Sequence, residues 1–551
     1  MRKLLFVPLV LLAMTNAVRS QMGTTELQQY VDRQLQRVAQ LWQENRIEEA
    51  MPILETLRAT PGIEKLESVW MNLLYNLACA HSRLGHKDQA LAALGEAVTA
   101  GFSDFGLLQR DTDLDSIRPD PRFQELAGQA RAKGQFWDNP VWETPYRPQL
   151  SADEMAAGLA KLWAEIKYDF VWYDRLALAN WDSLYMAFLP RVRDAQSTLA
   201  YFRLLSEMCA HLHDGHTRVN APNELVPELY YCPPLKTLQV EGRVLITAVL
   251  DDSLRKSGIV PGLQIVRIDG TAVKEYAERE FASSISVSTA QALTWQMYSY
   301  YLLCGPRQKP VELSLQDAKG REFTRALPRN RVSWAHPPVT YRRVGRNIAY
   351  VTLPTFGSDE IARQFDSLFA DVATADALIL DLRDNTGGNS AVGYAILGCL
   401  TDSIFAALRS SERIYRPGHR PYGSPPDSWE TELVTWPPNG RKLFSRPVAL
   451  LIGPATGSAA EDFAVAFEVM KRGKLIGEPT GGSTGQPLTF ALPGGLAGIV
   501  CVDWCTYPDG KEFVGIGIQP DIIVHSTIKS IRAGRDPVLE AAIQHLEKHG
   551  R

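Results

Sequence analysis

Three histidines and an aspartate fall within nine positions of the stretch HLHDGHTRV, residues 211–219. Two chemistries suit such a cluster. His211, His213, Asp214 and His216 offer the donors of a zinc site, which needs three or four ligands converging at about 2.0–2.3 Å. Alternatively, one imidazole, with an ordinary pKa near about 6.5, serves as general base to a nucleophile elsewhere. The zinc pattern nearly reads H-x-H-x-D-H, but the aspartate stands one place early, and a slip of one residue redirects a carboxylate.

A nucleophile for such a base is offered by GPATGSAAEDFAVAF, residues 453–467, which follows the apolar run PVALLI. Ser458 lies where a strand turns into a helix, with Gly457 before it and the small Ala459 and Ala460 after it. A serine there exposes its hydroxyl beside helix N–H groups that can hold an oxyanion. Ser458-x-x-Glu461 is equally a capping box, in which the serine only caps the helix. A second strand end, ALILDL followed by RDNTGGNS, supplies two glycines. Without side chains, Gly387 or Gly388 lets a backbone N–H approach a ligand closely.

The elements that must position these residues are readable in outline. Residues 26–131 read as helices with a period of 40, Ala50 and Ala90 taking matching places. FWDNPVWETPYRPQLS, 136–151, reads as a linker. Helical spacing returns over 152–212 and stops at Asp214-Gly215, a natural turn. Short strands follow from about 236. After 340 the runs IAYVTL, ALILDL, PVALLI and KLIG alternate with helical patterns, which predicts a largely parallel sheet. Sites in such sheets gather at the carboxyl ends of the strands. The insert at 402–446, dense in Pro, Gly and aromatics, reads either as a flap that brings Trp429 and Trp436 to a substrate or as a surface excursion packed on itself.

Bulk properties exclude some classes of function. A net charge of −4 with no Lys/Arg block gives nucleic acid nothing to bind. MRKLLFVPLVLLAMTNAVRSQ, residues 1–21, has the basic start, short apolar run and small residues of an export signal, cleaved after Ala17 or Ser20. A buried N-terminal helix is the alternative. No later segment is long and apolar enough to span a bilayer. The expectation is an exported protein, periplasmic or secreted, without an integral membrane span. The seven cysteines form no CxxC pair, and most sit in apolar settings that suit small core residues.

LILDLRDNTGG, GPATGSAAE, LIGEPTGGSTG and GIGIQPDI, in that order after LHDGHT, resemble the C-terminal-processing (tail-specific) serine peptidases, in the branch holding the tricorn core and the retinoid-binding-protein repeats. SLRKSGIVPGLQIVRIDGTAV resembles a circularly permuted PDZ domain, with Gly262-Leu263 where Gly-Asp is usual. YNLACAHSRLG resembles a tetratricopeptide helix. The resemblance implies a multidomain α/β protein: a tetratricopeptide-like helical domain at 22–135, a helical subdomain at 150–222, a PDZ-like β-rich domain at 230–332, a crotonase-like or ClpP-like core at 340–530 and a C-terminal helix at 531–551.

It also implies roles. Ser458 becomes the nucleophile. One branch activates it with a lysine at the position of Ser483, so that dyad is absent here. The other uses a histidine that maps onto His216, with a downstream glutamate for which Glu512 is the candidate. Gly387 and Ala459 take the oxyanion hole. The residue before the base is a serine in the tricorn core but Gly215 here, which leaves the relay incomplete unless Asp214 compensates. The implied reaction needs no metal or cofactor, and its partners are a protein or peptide substrate and a partner protein on the helical repeats. A non-catalytic protein binding peptide or apolar ligand on the same scaffold is the alternative, and a zinc hydrolase centred on 211–216 is the third reading.

Overall fold

Apolar residues at helical spacing shape the first of two compact units, which divide between Val141 and Trp142. The computed structural model describes residues 24–137, 139–332 and 338–549, so the expected export signal lies outside the described residues. Helices Thr24–Gln43 and Ile47–Arg58 form one pair, and Glu67–Arg83 and Lys87–Thr99 form the next. Ala50 and Ala90 both stand fourth in the second helix of their pair, and both are fully buried. Leu54, Leu57, Leu73, Leu77 and Leu94 fill the interior, each contributing about 1.5–3 kcal/mol by its burial.

In the second unit, helix α1 (Thr198–Ala210) opens on Ser197, whose hydroxyl accepts from the Ala200 N–H, and ends at the histidine cluster. The chain then enters the short strand Arg218–Asn220, antiparallel to Leu496–Cys501. A strand-rich subdomain follows. Its antiparallel sheet runs Leu235–Val240, Arg243–Val249, Gln264–Ile268, Val311–Gln316, Glu322–Leu327, with Thr271–Ala272 paired to the third of these. The alternation of buried Val311, Leu313 and Leu315 marks its packed face.

The core sheet holds six strands in the order β1 (Thr340–Val344), β2 (Ile348–Thr352), β3 (Ala377–Asp381), β4 (Val448–Ile452), β5 (Gly473–Gly477) and β6 (Ile522–Ile523). Only the β1–β2 pair is antiparallel. Every residue of β3 and β4 is buried, as expected of parallel strands covered on both faces. On one face, Leu378, Leu380 and Leu450 pack against Phe365 of α2 (Glu360–Val372), Ile396 of α3 (Ser390–Leu397) and Phe463 and Phe467 of α4 (Ala459–Val469). On the other, Ile379, Ala449 and Leu451 meet Val538 and Ala542 of α5 (Pro537–His549).

The insert between α3 and β4 forms a long hairpin, Phe405–Tyr415 with Asp427–Trp436. Trp436 packs on Tyr394, ring centres 5.6 Å apart, and Trp429 on Trp504 at 5.4 Å. Neither ring lines the cavity at the strand ends, which corrects the expectation that they touch substrate. Among the described residues, no helix is long and apolar enough to cross a membrane.

Candidate active site

Loops leaving the carboxyl ends of β3, β4 and β5 meet above the sheet. Ser458 ends the second of them, directly before α4, with φ 55° and ψ −132°. Positive φ at a non-glycine residue costs on the order of 1–3 kcal/mol and persists only where its surroundings enforce it. Here the fully buried Thr456 donates its hydroxyl to the Leu382 carbonyl at 2.8 Å and accepts from the Gly453 N–H at 3.0 Å. The Gly457 N–H donates to the Asn385 carbonyl, and the Ser458 N–H to the Ser483 carbonyl at 2.7 Å. The strained turn swings the hydroxyl off the helix, so Ser458 makes no side-chain cap. Its Oγ instead lies 3.0 Å from His216 Nε2.

His216 is fixed from both sides, by α1 before it and the strand Arg218–Asn220 after it. The loop between is stitched down. Ser286 Oγ donates to the Asp214 carbonyl, the Gly215 N–H donates to Ser288 Oγ, and Arg218 donates to the Gly215 carbonyl. Burial, with the Arg218 charge added, pushes the imidazole down to about 3, so it stands neutral and able to accept a proton. The other two histidines turn elsewhere. His211 and His213 are exposed, and the His211 ring meets the edge of Phe188. The four zinc donors of the sequence therefore do not share one site. Asp214 is buried, but its carboxylate accepts from the Thr217 hydroxyl at 2.7 Å rather than from the His216 ring.

Neither ring nitrogen of His216 is bonded to Glu512, the expected acid. Glu512 is exposed on the loop after Tyr507, whereas His216 Nδ1 lies 2.9 Å from Ser483 Oγ. Behind Ser483 stands Glu461, fully buried in the first turn of α4. Its carboxylate accepts from the Ser483 N–H at 2.7 Å, the Gly482 N–H at 2.8 Å and the Thr480 hydroxyl. Sequence reasoning missed both residues in these roles. The spacing Ser458-x-x-Glu461 was the available signal, and it pointed to a cap instead.

Burial raises Glu461 to about 7 against the pull of those three donors. Protonation places a hydrogen on an oxygen that faces N–H groups, which loosens the 480–483 loop. The acid limb of kcat/KM is therefore expected near pH 7 and to belong to Glu461, while His216 stays neutral far below that. Glu461→Gln, neutral at every pH, should be slower and level from pH 5 to 8; a limb near 7 retained in that variant would assign it to another group. Stability responds differently. The raised carboxyl contributes most below its ordinary value of 4.5 and loses that contribution as pH rises through about 7. The depressed histidine contributes above 6.5 and loses it as pH falls toward 3. The two offset each other over the mildly acidic range.

For the oxyanion, the Ala459 N–H sits at the first position of α4, where no intrahelical acceptor exists. Gly387 and Gly388 take φ of 105° and 139°, open only to glycine. A Cβ at Gly387 would lie 2.6 Å from that of Ser458, and one at Gly388 would lie 2.2 Å from the Phe356 carbonyl carbon. The Gly387 N–H, however, is already given to Asn385 Oδ1 at 2.9 Å. Gly388, unlike Gly387, lines the cavity with Ser458. That cavity, of about 1000 Å³, reaches from Ser458, His216 and Ser483 to Tyr276 and Lys309 of the strand-rich subdomain.

Several known proteins similar to this chain are named as proteases. The carboxyl-terminal-processing protease of Synechocystis sp. is 26% identical over 392 residues, covering 67% of this chain and 81% of that one. Carboxyl-terminal-processing peptidase 2 of Arabidopsis thaliana is 28% identical over 291 residues, 51% of this chain and 49% of that one. The crystal structure of mature CPAF shares the fold, with a TM-score of 0.54 at 15% identity over 72% of this chain and 96% of that one. The protein is a serine-type peptidase. Residues 347–524 match the model of Peptidase family S41.

Proposed function

We propose that this protein is an exported serine peptidase that cleaves polypeptides near their C-termini through an acyl-enzyme on Ser458. One observation carries the reading: a neutral, buried His216 places Nε2 3.0 Å from the hydroxyl of a serine held in a strained strand-to-helix turn. Ser458 Oγ attacks the scissile carbonyl carbon as His216 Nε2 takes its proton. The N–H groups of Gly388 and Ala459 hold the oxyanion. Collapse breaks the C–N bond while His216 gives the proton to the leaving amine. Water, deprotonated by His216, then releases the acyl group and restores the Ser458 hydroxyl.

Cleavage near a terminus is supported by the excess of basic side chains lining the cavity. Arg203, Arg218, Arg279, Lys309 and Arg329 line it with Glu228, Asp269 and Glu280; Arg279 pairs with Glu280, Lys309 with Asp269, and Arg329 donates to the Leu303 and Lys309 carbonyls. The strand-rich subdomain, read as the PDZ-like domain of 230–332, would hold a peptide tail and its carboxylate. Export rests on the basic and apolar start of the chain. The paired helices of the first unit offer a surface to the substrate protein or a partner.

The test compares two peptides of one sequence, one with a free C-terminal carboxylate and one amidated. The free form is expected to be cleaved at least about tenfold more efficiently, the equivalent of about 1.4 kcal/mol. Equal cleavage would remove the tail-directed part of the proposal. Binding without cleavage of either would favour a ligand-binding protein on the same scaffold.

A further inference from the structure

We infer that Ser483 is the positioning residue of the base, supplying from the loop after β5 the hydroxyl that holds the His216 ring in its working tautomer. The inference rests on the reading of Ser458 and His216 as nucleophile and base. An imidazole that is to accept from Ser458 at Nε2 must carry its own proton on Nδ1, and that N–H needs an acceptor. Neither Asp214, which is bonded to Thr217, nor the exposed Glu512 supplies it. Ser483 Oγ, 2.9 Å from Nδ1, does.

Space makes the assignment specific. A Cβ added at Gly215 would stand 2.6 Å from Ser483 Oγ and 3.2 Å from its Cβ. The bare residue before the base and the serine 268 positions later in the chain therefore form one arrangement: the hydroxyl fills the volume that a side chain at 215 would occupy. Gly215 does not have a positive φ, so its lack of a side chain answers to this crowding and not to its backbone angle.

Ser483 touches three parts of the machinery. Its hydroxyl meets the base, its carbonyl accepts from the Ser458 N–H at 2.7 Å, and its N–H donates to Glu461 at 2.7 Å. When His216 takes the Ser458 proton, the imidazolium keeps both protons and its Nδ1–H bond to the neutral Ser483 hydroxyl strengthens. Ser483 neither gains nor loses a proton. Glu461 fixes the loop through the peptide group and so stabilises the charged ring at one remove.

The experiment is a double-mutant cycle on Gly215→Ala and Ser483→Ala, read by the second-order rate of adduct formation with a serine-directed phosphonate and by thermal unfolding. Ser483→Ala is expected to label about 10²-fold more slowly, the lower range of general-base contributions, with its unfolding midpoint unchanged. Gly215→Ala should slow labelling comparably by pushing the hydroxyl away. The double variant should be no slower than Ser483→Ala, because the 2.6 Å clash with the hydroxyl is then gone and only the 3.2 Å approach to the Cβ remains. Wild-type rates in Ser483→Ala, or losses that simply add, would overturn the inference while leaving Ser458 as nucleophile. Failure of wild type to label at all would instead overturn the reading on which it rests.

Discussion

Replacing Ser458 with alanine is expected to lower peptide turnover by about 10⁶-fold, the loss seen when an acyl-forming serine is removed from an otherwise intact site. The fold should survive. Nothing buried depends on the hydroxyl, which neither caps α4 nor bonds to the backbone. Alanine keeps the φ of 55°, so its unfolding midpoint should match wild type. Glycine carries no Cβ penalty at that angle, and Ser458→Gly should be equally inactive but more stable by on the order of 1 kcal/mol. A glycine variant no more stable than alanine would show that the turn is not held against strain.

His216→Ala should cost nearly as much as Ser458→Ala, and the double variant should be no worse than either single one. The hydroxyl and imidazole act as a unit: without the base, the proton of Ser458 has nowhere to go, and without the nucleophile the base has nothing to activate. Losses that multiply would mean that the two residues work independently, in conflict with a proton shared across the 3.0 Å between Ser458 Oγ and His216 Nε2. Turnover of a tail-bearing peptide, measured for all three variants, decides this.

Much of the scaffold was legible because buried parallel strands announce themselves as continuous apolar runs. Residues 377–382 and 447–452 contain β3 and β4, and the residues just past them hold the site. The helical face of Ile361, Phe365 and Phe369 likewise reappears as the buried side of α2. What stayed hidden depends on contacts between distant loops. Nothing near Ser483 in the chain shows that it lies beside Gly215, since that meeting is made by the β5 loop crossing to the end of α1. Glu461 looked like a capping partner because the spacing of a capping box assumes an ordinary N-cap backbone. At φ 55° the serine turns away, and the carboxylate is free to hold the 480–483 loop. The choice between Gly387 and Gly388 turned on one hydrogen bond to the buried Asn385 side chain, which no local pattern encodes.

An activated serine at 458, served by His216, is read out by the intact mass of the protein after incubation with a serine-directed phosphonate. Wild type is expected to gain one adduct. Ser458→Ala and His216→Ala should gain none over the same interval, with chelator making no difference. An adduct that persists in Ser458→Ala, or wild type that stays unmodified, would mean that Ser458 is not an activated nucleophile.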